Sequence, residues 1–166
     1  MSWSATEIMT LAGKAARGAG APPAQAARFG QVVVVHLTAA RDVAVLSAAL
    51  EALPEGPILA YPLVLDQALS DAGQGLPAAL PGLEQDALLV SFVEALPFQA
   101  SLQATGTDGL RLRVDLATPR PHGVPRRITG CDGLIAQMTE LADRTYVPDS
   151  DSSRRVGAGA RLTDND

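Results

Sequence analysis

Arginine and glycine stand together near the end of the chain, in a combination that can hold an anion. Arg154 and Arg155 are followed by Gly157-Ala158-Gly159-Ala160. Guanidinium groups bind carboxylates and phosphates, and glycine lets backbone N–H groups approach an anion closely. The stretch lacks the strand–turn–helix pattern of a phosphate-binding loop, so a flexible tail is the simpler interpretation. The alternative is a tail folded over a cleft of its own domain or of a neighbouring subunit, with Arg154, Arg155, Gly157 and Gly159 as the ligand-binding candidates.

The two histidines are the candidates for proton transfer. His36 lies on the apolar side of a predicted helix, where a core histidine bonded to a backbone carbonyl is the simpler interpretation. His122 lies in a Pro-rich segment beside Arg120, Arg126 and Arg127, a better place to meet a ligand, although such segments are usually only connections. Because the histidines are far apart in sequence, they are not predicted to share a metal.

Cysteine and the acidic residues add little further chemistry. The single cysteine, Cys131, precedes a predicted helix whose first turn can lower a thiol pKa, but no base is identified for it, so an inert thiol is favoured. Asp164-Asn165-Asp166 offers hard oxygen ligands, yet a flexible acidic terminus is the simpler interpretation. Asp149 and Asp151 lack the later Gly and Glu of a calcium loop. We predict no metal site, and the sequence identifies no cofactor.

Composition favours a single soluble domain. The chain has 166 residues, of which 47% are hydrophobic and 4% aromatic, so its core must be built mainly from Ala, Val and Leu. The net charge of −5 argues against nucleic acid as a partner. No secretory signal and no apolar run long enough to span a membrane are found, which predicts a cytoplasmic protein. Residues 1–148 are predicted as one domain, and residues 149–166 as a tail that is either mobile or docked.

The N-terminal half has the signals of four helices. Ser4-Ala5-Thr6-Glu7 is a capping box that starts the first helix, which Gly18 and Gly20 can end. The second helix runs from Pro22-Pro23 to Arg41, with a strand over Val32–Leu37 as the alternative, and Asp42 can cap the third. A short extended stretch from Pro57 to Leu59 precedes a fourth helix from Pro62 to Ala72, and a loop is predicted from Gly73 to Gly82.

The C-terminal half changes to a period of two. Apolar residues alternate from Phe98 to Ala104 and from Leu110 to Leu116, and the Asp-Gly pair between them is typical of a β-hairpin. Leu88–Ala95 is predicted to add a third strand, and Asp132 to cap a last helix. The predicted fold is therefore α+β, with a helical N-terminal half on a small antiparallel sheet, one further helix and a Gly-rich tail.

Both ends of the chain resemble an uncharacterised family, a domain of unknown function found mostly in alphaproteobacteria. The opening match comprises Glu7-Ile8, Leu11-Ala12 and Lys14 to Gly20, and the closing match comprises Tyr146-Val147-Pro148, Ser153-Arg154, Gly157 to Ala160 and Leu162 to Asp166. The resemblance implies no activity, because none is established for that family. The first two helices are also similar to those of the NAD(P)-dependent type-two malate/lactate dehydrogenases, but the Ser-His-Gly motif of that family is missing from Leu37–Leu46.

Two functions are compatible with these features. The first is a non-catalytic binding or assembly protein, as a homo-oligomer whose tail docks across a cleft or a subunit boundary. The second is a small enzyme acting on an anionic metabolite, with Arg154, Arg155 and the glycines holding the anion while His36 or His122 moves protons. The first is favoured because the sequence contains no recognisable catalytic motif.

Overall fold

The computed structural model describes residues 1–72, 77–104, 109–121, 123 and 127–145. In these ranges the chain forms six helices and five short strands, which confirms the predicted α+β class. The helices are α1 (Ala5–Gly18), α2 (Pro23–Thr38), α3 (Val43–Glu51), α4 (Pro57–Asp71), α5 (Ala87–Glu94) and α6 (Asp132–Asp143). The strands are β1 (Ser2–Trp3), β2 (Ala78–Ala79), β3 (Phe98–Ala104), β4 (Leu110–Pro119) and β5 (Ile128–Thr129).

Helix α1 begins at the predicted capping box. The Ser4 hydroxyl accepts the Glu7 N–H at 3.2 Å, and the Glu7 carboxylate accepts the Ser4 N–H at 2.7 Å. These hydrogen bonds lower the pKa of Glu7. The same helix packs between α2 and α6, and glycine allows both contacts. A Cβ at Gly30 would lie 2.5 Å from the Met9 carbonyl oxygen, and one at Gly18 would lie 1.8 Å from the carbonyl oxygen of Leu141.

One apolar core connects the helices to the sheet. Its members are small and aliphatic for the most part, as the composition predicts, and Phe29 is the largest fully buried side chain. Further core residues from each helix and from the sheet include Ile8, Leu46, Leu50, Ile58, Leu89, Leu112 and Met138. Within the described ranges, no helix combines the length and apolar character needed to cross a membrane.

The fourth helix begins earlier than predicted. Helix α4 starts at Pro57, in the stretch predicted to be extended, and contains Pro62 in its interior. Proline fits at the first helical position because its missing N–H needs no intrahelical partner there. Pro62 lacks the N–H that would bond to the carbonyl of Ile58, but Pro62, Ile58 and Leu65 are all buried in the core. Burial of this helix face therefore outweighs the local preference of proline for a helix start.

The prediction of a third strand at Leu88–Ala95 was wrong. This segment is helix α5, and the Asp86 carboxylate caps it by accepting the Leu89 N–H at 2.7 Å. The third strand of the sheet is β2, inside the stretch predicted as a loop. The last helix also starts one residue differently, since Cys131 occupies the cap position and Asp132 is its first residue.

The predicted β-hairpin is confirmed. Strand β4 lies between β2 and β3, with antiparallel pairing on both sides. Leu102 pairs with Leu112 and Ala100 with Val114 on one face, while Ser101 pairs with Arg113 on the other. The sheet is therefore amphipathic, because side chains alternate between its two faces. A second antiparallel pair, β1 with β5, joins the N-terminus to the residues before α6.

Candidate functional site

His36, the first predicted catalytic residue, forms a hydrogen-bonded network with residues distant in sequence. Its Nδ1 lies 2.9 Å from the hydroxyl of Ser91, which is 55 residues further along the chain on α5. Its Nε2 lies 2.9 Å from the backbone carbonyl oxygen of Asp42. The guanidinium of Arg41 donates to the Ser91 hydroxyl at 3.0 Å and to the Glu94 carboxylate at 2.8 Å. The network thus fixes the α2–α3 connection onto α5.

The partners of His36 determine where its proton lies. A backbone carbonyl can only accept a hydrogen bond, so Nε2 must carry the hydrogen that points to Asp42. In the neutral ring Nδ1 is then an acceptor, and the Ser91 hydroxyl donates to it while accepting from Arg41. The same hydroxyl can donate to the Ala87 carbonyl oxygen, which lies 2.9 Å away, so this carbonyl and Nδ1 compete for its single proton. Both nitrogens of an uncharged His36 are satisfied when that proton points to Nδ1.

Burial makes the neutral form of His36 the stable one. His36 and Ser91 are each 0% exposed. Removal from water lowers the pKa of His36, and the nearby charge of Arg41 lowers it further. The acceptor carbonyl of Asp42 and the Asp42 and Asp86 carboxylates act in the opposite direction without reversing the shift. A hydroxyl hydrogen-bonded to a neutral imidazole is the pair a nucleophilic serine needs, but here neither group reaches solvent or substrate.

The connection between α2 and α3 is held in a special conformation. Ala40 has a φ of 52°, in the left-handed region that non-glycine residues rarely occupy. The Arg41 N–H bonds to the His36 carbonyl at 3.2 Å, and the Asp42 carboxylate caps α3 by accepting the Ala44 N–H at 3.0 Å. Backbone hydrogen bonds from Ala40 to Leu37 and from Arg41 to His36 thus hold this conformation at the end of α2, so the arrangement has a structural role.

The other predicted site residues do not gather around His36. Cys131 is buried, and its burial together with the charge of Asp132 raises the pKa of the thiol, which suits the predicted inert cysteine. His122, Arg154, Arg155, Gly157 and Gly159 lie outside the described residues, as does the whole tail predicted from 149 to 166. Their anion-binding and proton-transfer roles stay predictions. In the described part of the chain, no group of three or more His, Cys, Asp or Glu side chains could hold a metal ion.

The clefts of the described surface are shallow or small. One of about 90 Å³ lies between α2, α4 and the α5–β3 turn, lined by apolar residues such as Val32 and Pro62. Arg28 lines the same cleft and is paired with Asp66 at 2.6 Å. A wider groove of about 410 Å³ runs between α1 and α2 beside Lys14 and Arg17. Neither cleft includes His36 or Cys131, so neither joins proton-transfer groups to a binding space.

The outer edge of strand β3 is a second candidate site, which the sequence did not indicate as functional. The Leu80 N–H bonds to the Leu110 carbonyl at 2.8 Å, so the even-numbered residues of β4 direct their backbone groups towards β2. The odd-numbered residues of β4 bond to β3, where Arg113 faces Ser101. In β3 the backbone N–H and C=O groups of Ala100, Leu102 and Ala104 therefore point away from β4, towards the open side of the sheet.

Most of this edge has no partner in the described structure. The guanidinium of Arg120 covers its beginning and donates to the Ala100 carbonyl at 3.1 Å. The N–H and C=O of Leu102 have no bond with any part of the chain that the structure describes. The strand sequence FQASLQA also contains no charged residue. Sheet edges are normally protected by charge, proline or a covering element, so this edge is an exposed template for pairing.

Two sequence signals point to residues that the sequence prediction missed. Ser91 is the single polar residue within the apolar run LLVSFV, and a polar residue so enclosed needs a buried partner. Arg41 follows the C-terminus of α2, where a cation near the last carbonyls is favoured. Neither signal indicates which distant residue each one meets.

Comparison of the chain with known protein families, with characterised proteins and with solved structures finds no match. The resemblance of both ends to the uncharacterised alphaproteobacterial family therefore stays a prediction. The candidate sites are defined by their geometry alone.

Proposed function

We propose that this protein is a non-catalytic binding and assembly module, and that its binding element is the outer edge of β3. The single observation that carries the proposal is the backbone edge centred on Leu102, which has no partner within the described residues and no charged residue in its own strand. A peptide added there would bond through its main chain, which gives affinity independent of side-chain chemistry. Alternating side chains of the sheet would then select the partner.

The geometry of the described polar groups supports a binding role over a catalytic one. His36 and Ser91 are enclosed by protein, and their hydrogen bonds are used to join α2, α3 and α5. Catalysis requires the reacting groups to contact substrate beside a space that can hold it. The edge of β3, in contrast, lies beside exposed residues such as Ser101 and Ala104.

The two faces of the hairpin favour a partner strand that is itself amphipathic. Leu102 and Ala100 are half-buried on the apolar face, where they pair with Leu112 and Val114. A partner strand that places apolar side chains on this face would extend the core beyond the edge. Opposite them, Ser101 and Gln103 require only neutral polar neighbours.

Site-specific photo-crosslinking tests the proposal. A benzophenone side chain replacing Ser101 in the full chain should form a protein adduct in living cells, whereas one replacing the exposed Gln67 on α4 should not. Leu102→Pro should abolish the adduct, because proline removes the outward N–H without touching the bonds to β4. Absence of an adduct at Ser101, or an adduct that Leu102→Pro leaves unchanged, would overturn the proposed function.

A further inference from the structure

We infer that the strand taken up by β3 is β3 of a second copy of this chain, paired antiparallel about a two-fold axis through Leu102. The inference rests on the proposed function and names its partner. Two three-stranded sheets would join into one continuous sheet in which β3 is no longer an edge. Two-fold pairing of like surfaces is the most common form of protein self-association.

The direction of the backbone groups limits the possible registers. Only Ala100, Leu102 and Ala104 direct their N–H and C=O groups outward, so the hydrogen-bonded pairs must join residues of this set. With the axis at Leu102, each Leu102 N–H meets the Leu102 carbonyl of the second copy, and Ala100 faces Ala104. The Ala100 carbonyl keeps its bond to Arg120, because a carbonyl oxygen accepts two hydrogen bonds. An axis through Ser101 or Gln103 would also satisfy the outward backbone groups, but it would place an alanine opposite Leu102. The axis at Leu102 is the one that pairs the two leucines.

Side-chain size is symmetric about this axis. On the apolar face the strand reads Ala100, Leu102, Ala104, so leucine meets leucine and each alanine meets an alanine. The joined sheet would place the apolar faces of both hairpins side by side. This match of the strand to its own reversed sequence favours a second copy over an unrelated partner.

Charge is compatible with self-pairing. On the polar face, Ser101 would lie opposite Gln103 of the second copy, and both are neutral. The nearest charge is the guanidinium of Arg120 at the Ala100 carbonyl, and Arg111 and Arg113 follow on β4. Across the axis Arg113 and the second copy's Arg111 would be separated by three strand spacings, about 14 Å, which exceeds the screening length of about 8 Å at physiological salt. The two Arg120 groups would lie near opposite ends of the joined edge, about 14 Å apart along the strands, so the pairing would bring no like charges close together.

Charge-swap variants test the pairing. Ser101→Lys with Gln103→Lys places two pairs of like charges across the axis, and Ser101→Glu with Gln103→Glu does the same with opposite sign. Each variant alone should dimerise at least about tenfold more weakly than the unaltered protein, while an equimolar mixture should form a one-to-one heterodimer. Sedimentation velocity and native mass spectrometry measure both. Gln67→Lys with Ser70→Lys changes the same residue types on the exposed face of α4 and should leave dimerisation unchanged.

The outcomes separate this inference from the proposed function. A monomer at all concentrations, a dimer that persists in both charged variants, or a mixture that does not pair would overturn the second copy as partner. The proposed function would still stand if the Ser101 crosslink joined a different protein. Circular dichroism checks folding, and the Glu variant carries the test if the Lys variant unfolds, because glutamates at 101 and 103 lie opposite Arg113 and Arg111.

Discussion

The helical region around α1 and the β3–β4 hairpin differ in how completely they are closed. In the first, α1 contacts α6 so tightly that Gly18 has no room for a methyl group. His36 is fully buried there, and both of its ring nitrogens have a hydrogen-bond partner. In the second, Leu102 is only half-buried, Leu116 is exposed, and a row of backbone groups has no partner in the described chain. One region is saturated with contacts, and the other is open to more.

Because of this difference, the residues that could take part in catalysis are not the residues that are accessible. Histidine, serine and cysteine, the residues that suggest catalysis in a sequence, lie in the closed region as His36, Ser91 and Cys131. The open edge contains only alanine, leucine, serine, glutamine and one phenylalanine. Accessibility, and not residue type, is therefore what selects the edge of β3 as the proposed site of interaction.

Gly18→Ala should destabilise the helical region around α1 more than the other variants. The new methyl group would overlap the Leu141 carbonyl, which is backbone and cannot turn away, so α1 and α6 must separate. We expect the free energy of unfolding to fall by about 3 kcal/mol, the upper end for overpacking. Urea denaturation measures the loss.

Two control variants show whether the loss is specific to the contact between α1 and α6. Gly133→Ala on α6 meets no atom within 4 Å and should be neutral or stabilising by up to about 1 kcal/mol. Leu116→Ser on the open hairpin should change stability by less than about 0.5 kcal/mol. A Gly18→Ala protein as stable as these controls would contradict the tight contact between α1 and α6.

The buried His36 should make stability depend on pH. Its pKa is lowered in the folded protein, so above about pH 6.5 the histidine is neutral in both states and its contribution is complete. As the pH falls below that value the unfolded chain binds the proton first, and stability declines by at most about 1.4 kcal/mol per pH unit. Glu7 and Asp115, whose pKa values are also lowered, act only at more acidic pH.

Urea unfolding between about pH 7.5 and 5.5 measures this slope. His36→Gln should remove it and also lower stability by about 1–3 kcal/mol, because a buried hydrogen bond is lost. His122→Gln serves as the matched histidine control and should retain the His36 component of the slope. Equal slopes in the unaltered protein and in His36→Gln would show that the histidine is not protected from protonation by the fold.

Ala40→Gly should have the smallest effect, and in the opposite direction. The left-handed conformation of Ala40 costs about 1–2 kcal/mol, and glycine relieves it at the expense of greater freedom in the unfolded chain. We expect a net gain of up to about 1 kcal/mol by urea denaturation. Ala39→Gly, at a neighbouring position with a φ of −80°, should instead lose stability. A loss at both positions would contradict the strained connection.

Local signals in the sequence predicted those elements whose stabilising contacts lie within a few residues. The capping box at Ser4 and Glu7 and the Asp-Gly hairpin between β3 and β4 are of this kind. The segment from Ala87 to Glu94 was misassigned because a short run of apolar residues suits a strand and a buried helix equally. Pro62 misled the prediction of α4 for a related reason, since burial of the helix outweighs its local preference.

Residue patterns alone were enough to predict the α+β class, the helix starts with strong caps, the hairpin and the apolar setting of His36. The folded structure was needed to show that His36 meets Ser91, which also accepts from Arg41, and that most of the outer edge of β3 is uncovered by the described chain. The physical reason is the separation in sequence between the groups that interact. Caps and turns depend on bonds between near neighbours, whereas burial, protonation and the exposure of an edge depend on which distant segments pack together.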